Sequence, residues 1–174
     1  MARLDLPDGP GLERERLLGM RLDIAVGMGA YADAVYGGAQ LAPREREIAR
    51  LRIAAANGCP VCLNSRSPQA TAAGLDEAGV DRVVTCETGA TAAMTELSER
   101  ERLAGEFADR FAHAHHSIDD EFVASMRRVF TDGELIELGA LCAMTLGNGR
   151  FLTVFGVAAD DDGHLLLPEP ANDS

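Results

Sequence analysis

LAPREREIARLRIAAANGCPVCLNSRSPQATAAGL, residues 41–75, is the stretch on which the fold turns. Pro43 suits the first position of a helix, where its missing N–H costs nothing. Ile48, Leu51 and Ala55 then fall on one apolar stripe. Asn57 and Gly58 supply a left-handed stop. The pattern predicts one helix over 43–57, and Pro60 opens another directly after it. Glu47 shares a line with Leu51 and Ala54, at spacings of four and seven, so its carboxylate is expected at the edge of the buried side, directed toward Gly58.

Outward from there the chain reads as helix after helix. Residues 1–11 hold two prolines and two glycines and are expected to form an extended arm. A short helix is predicted over 12–20. Asp23 caps a second that ends near Gly37 and Gly38. Past a glycine stop at Gly74, residues 76–84 form a short helix, and a loop rich in Thr, Gly and Ala spans 85–97. Ser98 and Glu101 form a capping box, in which a hydroxyl and a carboxylate three residues apart satisfy free N–H groups reciprocally. Ser117 is read as the cap of a helix through Phe130. Thr131 and Glu134 form a second capping box before the long apolar run LIELGALCAMTLGNGRFL. No strand pattern and no repeat emerges.

Composition agrees with helices. Apolar residues make up 47% of the 174, aromatics only 5%, and there is no tryptophan, so the core must be built from Leu, Val, Ile, Met and Ala. One domain over 12–157 is expected, followed by an acidic tail at 158–174 whose Asp160, Asp161 and Asp162 read as solvated. The net charge of −12 repels phosphate backbones and anionic membranes, so neither nucleic acid nor membrane is an expected partner. MARLDLPDGPG has no apolar signal-peptide core, and no segment reaches the length of a membrane helix. A cytoplasmic location is expected, where four cysteines are not a disulfide framework.

Cys59 and Cys62 carry the chemistry. Two thiols separated by two residues at a helix start close a small ring on oxidation. Backbone N–H groups there favour thiolate, the nucleophile that attacks a peroxide oxygen or a disulfide. Half a zinc site and a bystander pair are the other readings of the same spacing. Cys142, in line with Leu135, Leu138 and Leu146, reads as a small core hydrophobe, and Cys86 as a loop residue.

The run at 41–75 resembles the core of the carboxymuconolactone decarboxylase / alkylhydroperoxidase D family. The family pattern is a glutamate, eleven intervening residues, a CxxC pair, and a histidine four positions later. Glu47, Cys59 and Cys62 match it, and residues 97–111 and 118–151 are similar to the family's C-terminal half. The resemblance covers roughly 12–157. It implies an all-α fold of about six to eight antiparallel helices, assembled into a homo-oligomer (dimer, trimer or hexamer). It implies a thiol-dependent peroxidase or disulfide oxidoreductase without cofactor or metal. Cys62 would attack a hydroperoxide, Cys59 would resolve, Glu47 would belong to the proton relay, and a dithiol or protein reductant would reset the pair. A thioredoxin-type argument would instead pick Cys59, nearer the helix start, as the attacking thiol. A lactone decarboxylase-like enzyme of the same fold and a non-catalytic redox-sensing oligomer are the alternatives.

Two residues depart from that pattern. Arg66 occupies the histidine position, and a guanidinium cannot serve as a general base. On a continuous helix it would share a face with Cys62, where it could lower the thiol's pKa or pair with Glu47, which also has Arg44 and Arg50 within reach. Pro68 forbids such continuity, and the expected escape is a break at Ser67, with Ser67 capping a new helix. His113, His115 and His116 read as an exposed helix end rather than a metal site. Asn148 and Arg150 are candidates for capping the last helix or contacting a neighbouring subunit.

Overall fold

A computed structural model describes residues 2–159 and, beyond them, 165–166. Nine α-helices lie among the described residues: α1 (Glu13–Gly19), α2 (Leu22–Gly37), α3 (Pro43–Asn57), α4 (Pro60–Leu63), α5 (Pro68–Ala72), α6 (Glu77–Thr85), α7 (Glu99–His113), α8 (Asp120–Met126) and α9 (Asp132–Val154). Prolines divide the middle of the chain, since α3, α4 and α5 each begin on one. The Ser98–Glu101 and Thr131–Glu134 capping boxes open α7 and α9 as expected. Ser67 caps α5 by accepting from the Ala70 N–H at 3.2 Å.

α3 runs through the centre, packed against α7 and α9 with α4, α5 and α6 around it. One side meets Ala104 and Ala108 of α7 and Leu138, Leu141 and Cys142 of α9 through Ala49 and Ile53. The other side meets Ala70, Leu75, Val80 and Val83 through Ile48 and Leu51. Burial is therefore all-round from Glu45 to Ala54, not confined to one stripe. Most of the charges in PREREIARLR are buried with it: Glu45 and Arg52 pair with Arg100 and Asp109 of α7, and Glu47 and Arg50 with each other. Arg52 binds Asp109 of α7 at 2.8 Å, with both side chains at most 4% exposed. Its Nη1 also donates to the Val83 and Cys86 carbonyls, and the other Asp109 oxygen accepts from Gly89 N–H. The 85–97 loop is thus strapped to the core from inside.

Several expectations are corrected. Asp23 is not a cap. It sits in the first turn of α2 and grips Arg21, which holds the capping position, through two hydrogen bonds. Ser117 lies in a short 3-10 turn, and Asp119 caps α8 instead, because its carboxylate reaches Phe122 N–H at 2.8 Å. α8 ends at Met126, short of Phe130. Ser65–Arg66 (β1) bridges in parallel to Leu165–Leu166 (β2), a pairing too short for any alternating pattern to announce. The N-terminal arm is not free-standing. Arg3 N–H donates to the Phe155 carbonyl at 2.7 Å, and Leu6 packs near Leu17, Cys59 and Val157. The expected acidic tail, including Asp160, Asp161 and Asp162, lies outside the described residues except for 158–159 and the backbone of 165–166. No helix among the described residues is long and apolar enough to cross a membrane.

Removing one member of a buried ion pair strands the other, at a cost of about 3–5 kcal/mol. Asp109→Ala is therefore expected to lower the unfolding free energy by that amount, read as a lower urea midpoint at unchanged denaturant slope.

Candidate active site at the Cys59–Cys62 turn

Gly58 makes the site possible. It ends α3 in the left-handed region, φ 56°, where its N–H still reaches the Ala55 carbonyl. The chain then reverses, and Cys59 becomes the capping residue of α4. The Cys59 sulfur accepts from the Cys62 backbone N–H at 3.2 Å. The Cys62 and Thr153 side chains and the Val61 backbone also favour a charge on that sulfur. Both thiols are free; Cys59 is fully buried and Cys62 partly open.

These contacts divide the pair. The neighbouring Cys62 side chain, with the backbone N–H groups and Thr153, brings Cys59 down to about 7 against the opposing effect of burial. Cys62 moves the other way. The neighbouring Cys59 side chain and burial both disfavour its charge, a thiolate at Cys59 repels it, and Arg50 pulls in the favourable direction. One shared proton on two sulfurs is the physical content of both shifts. Acidity points to Cys59, and access points to Cys62.

The turn is clamped from α3. Arg50 binds both carboxylate oxygens of Glu47 at 2.7 Å, and donates to the Cys62 carbonyl at 2.6 Å and the Ser65 carbonyl at 2.9 Å. Glu47 also accepts from Ser67 N–H at 3.3 Å. Glu47 is thus 2% exposed rather than at a helix edge, and its partner is Arg50, not Arg44 or Arg66. Arg66 stands apart. α4 stops at Leu63, so the continuous helix that would align Arg66 with Cys62 does not exist. Its guanidinium binds Glu77 at 2.8 Å and the Leu63 and Ser65 carbonyls.

Sequence reasoning missed the wall that α9 supplies. Gly149 is buried against the turn: a Cβ there would fall 2.4 Å from Asn57 Nδ2 and 3.4 Å from the Cys62 sulfur. Asn57 reaches the Thr145 and Leu146 carbonyls, and Arg150 reaches back to Asn57 at 3.3 Å. Because α9 continues to Val154, neither Asn148 nor Arg150 is its cap. Tyr36, at the end of α2, is a further buried group in the neighbourhood; burial pushes its phenol up to about 12, and Arg50, Glu47 and Cys62 all influence it. The one available signal was the GNGRFLT spacing, which sets Gly149 and Thr153 one turn apart. Cys142 is in the core, and Cys86 lies beside Arg52, so neither joins the pair. His115 and His116 are exposed, with rings 4.0 Å apart. Among the described residues no group of three or more His, Cys, Asp or Glu is placed to hold a metal ion.

Fold and site together define a helical protein with a buried dithiol turn. The model of the carboxymuconolactone decarboxylase family matches residues 23–109, and the chain belongs to that family. Among solved structures it is similar to an uncharacterized peroxidase-related protein from Ralstonia eutropha JMP134, described as an alkylhydroperoxidase AhpD core. That likeness has 20% identity and TM-score 0.76, covering 92% of this chain and 93% of the other. An uncharacterized peroxidase-related protein from Silicibacter sp. TM1040 has 16% identity and TM-score 0.79, with 96% of each chain covered. A protein of unknown function from Agrobacterium tumefaciens has 16% identity and TM-score 0.69, covering 84% and 97%. At these identities the likeness shows the fold. No curated protein matches the sequence.

Two outcomes follow for the thiols. The reduced protein should show one thiolate per chain with a midpoint of about 7 by ultraviolet absorbance, and Cys62→Ala should raise it toward the ordinary 9.0, because the largest stabilising contact is lost. The folded value lies below the unfolded one. Cys59 therefore contributes stability that is complete above about pH 9 and is lost as the pH falls through about 7. Cys62 opposes this only above about pH 9, where the unfolded thiol ionises.

Proposed function

We propose that this chain is a thiol-dependent peroxidase, or disulfide oxidoreductase, that reduces hydroperoxides through Cys62 and Cys59. The observation that carries the reading is the turn itself: two free thiols on one capped helical start, with the buried Cys59 sulfur accepting from the Cys62 backbone N–H at 3.2 Å and Cys62 partly open. In the cycle Cys59 thiolate takes the proton of Cys62. The Cys62 thiolate then attacks the terminal oxygen of a hydroperoxide. The O–O bond breaks, Cys62 becomes a sulfenic acid, and the departing alkoxide recovers the proton from Cys59. Cys59 thiolate attacks the sulfenic sulfur, forms the disulfide and releases hydroxide. A dithiol or protein dithiol reduces the disulfide by exchange.

In this reading Cys59 performs the proton transfer that the family pattern gives to a histidine. Glu47 acts through Arg50: the bidentate pair leaves it no free oxygen for general-base work, and it fixes the cation that holds the Cys62 carbonyl. Arg66 braces the segment after the turn against Glu77. Homo-oligomer formation fits the exposed apolar side chains Leu22 and Val26 of α2 and Ile136 and Val154 of α9. A reducing, cytoplasmic setting fits four free thiols.

Peroxide should remove two thiols per wild-type chain. Cys62→Ser should abolish turnover, and Cys59→Ser, which removes both the base and the resolving thiol, should abolish it too, any Cys62 sulfenic acid that a dimedone probe captures forming about 10²-fold more slowly than the wild-type protein loses its thiols. A properly placed base is worth about 10²-fold or more. Arg66→His is expected to gain none of this, staying within about 3-fold of wild type, because its side chain leaves a segment directed at Glu77. Reversible Cys59–Cys62 oxidation without turnover would overturn the peroxidase reading and mark a redox-sensing protein.

A further inference from the structure

Arg150 stands beside the dithiol turn, and the cycle above gives it no task. The contacts that place it run through α9. A Cβ on Gly149 would meet Asn57 Nδ2 at 2.4 Å, so Asn57 is what excludes a side chain there; the Cys62 sulfur lies 3.4 Å from the same point. Asn57 is held by donating to the Thr145 and Leu146 carbonyls at 3.3 and 3.2 Å. Its side-chain oxygen accepts from Arg150 Nε at 3.3 Å. The amide and the partly open sulfur therefore flank one glycine, and the guanidinium is tethered to the amide.

The charge on Arg150 is uncommitted. Arg44, Arg50, Arg52, Arg66 and Arg100 each hold a carboxylate. Arg150 is exposed and holds none among the described residues, where both of its Nη nitrogens are without a partner. A guanidinium presents its donors as a planar fork that fits a carboxylate. The chain as a whole carries a net charge of −12, a field that repels anions. A fixed cation near the open sulfur reverses that preference locally, over a Debye length of about 8–10 Å. The side chains Leu6, Phe151, Leu152 and Phe155 that pack with the thiol pair are apolar and leave the anion to Arg150.

We propose that Arg150 is a specificity-determining residue of the dithiol site: its Nη groups hold the carboxylate of a co-substrate while that co-substrate reacts at Cys62. The inference rests on the redox reading of the pair given above. Two molecules meet Cys62 in that cycle, the hydroperoxide and the thiol that reduces the disulfide, and the carboxylate belongs to one of them.

The first measurement needs neither peroxide nor turnover. The reduced protein is alkylated at low ionic strength with iodoacetate, an anion, and with iodoacetamide, its neutral counterpart, and the rate at Cys62 is read by mass spectrometry. Both reagents meet the same thiolate, so the ratio of their rates reports the preference for an anion alone. Arg150→Gln should lower the iodoacetate-to-iodoacetamide ratio about threefold and Arg150→Glu further, with the differences shrinking in high salt. An unchanged ratio in Arg150→Gln overturns the proposal. So does an equal fall with both reagents, since Arg150 would then act on the sulfur and not on the anion. The second measurement finds the source of the carboxylate. A fatty-acid hydroperoxide is compared with its methyl ester as oxidant, and mercaptoacetate with 2-mercaptoethanol as reductant of the oxidised pair. A preference for the acid that Arg150→Gln abolishes assigns the carboxylate to the hydroperoxide in the first comparison and to the reductant in the second; in neither, it overturns the proposal. A chain that turns over no hydroperoxide yet shows the alkylation and reductant preferences refutes the peroxidase reading and leaves the role of Arg150 standing.

Discussion

Arg50 holds the turn together with four hydrogen bonds made in one place: two to the carboxylate of Glu47, one to the Cys62 carbonyl and one to the Ser65 carbonyl. A single helical turn such as α4 has no stability of its own, because nucleation costs more than its few bonds return. Its last carbonyls would also lack partners. A cation buried in α3 answers both problems, and Glu47 makes that cation tolerable, since a lone buried guanidinium would face a desolvation cost of several kcal/mol. The position of each sulfur therefore depends on an ion pair that touches neither. This gives the glutamate of the motif a structural rationale independent of any proton it might move.

The same arrangement marks the limit of what the sequence could reveal. Helix ends were legible because their causes are local: Pro43 and Pro60 at starts, Gly58 at a stop, Ser98 with Glu101, Thr131 with Glu134, and the hydroxyl of Ser67 before Pro68. Even the local reading failed where two caps compete two residues apart, as Ser117 and Asp119 do; the carboxylate of Asp119 is the one that meets an orphan N–H. The burial of α3 was not legible. PREREIARLR looks like a helix with a solvated charged side, and Glu45 and Arg52 become core residues because Arg100 and Asp109 arrive from α7. Pairing between residues more than fifty positions apart leaves no periodic trace.

The thiol pair was legible from spacing alone, as was the break near Pro68. What lay between them was not. Arg66 follows Cys62 by four residues, which on an unbroken helix is one turn and a shared face. The chain instead leaves the helix after Leu63 and extends through Ser65 and Arg66, and extension turns the guanidinium toward Glu77. Gly149 and Thr153 were hidden for a different reason. A glycine in a long apolar helix carries no mark of what lies against it, and a threonine near its end reads as filler.

Acidity and access fall on different sulfurs here, and chemistry gives a reason why that division is useful. A thiolate's nucleophilicity rises with its pKa, so an acidic sulfur is abundant as thiolate but a weaker attacker, and a good leaving group. Cys59 has that character and is sealed behind Val61, Leu17 and Val157. Cys62 is open, poorly acidic, and therefore a strong nucleophile once its proton is drawn off. In the proposed thiol exchange an incoming reductant would reach the open sulfur, and the bond it breaks would expel the sulfur better able to hold the charge. The closeness of the two side chains on one short turn shifts both thiols at once, in opposite directions. The pair needs no imidazole to be asymmetric: asymmetry comes from placing one cysteine at the cap of a short helix and the other at its third residue.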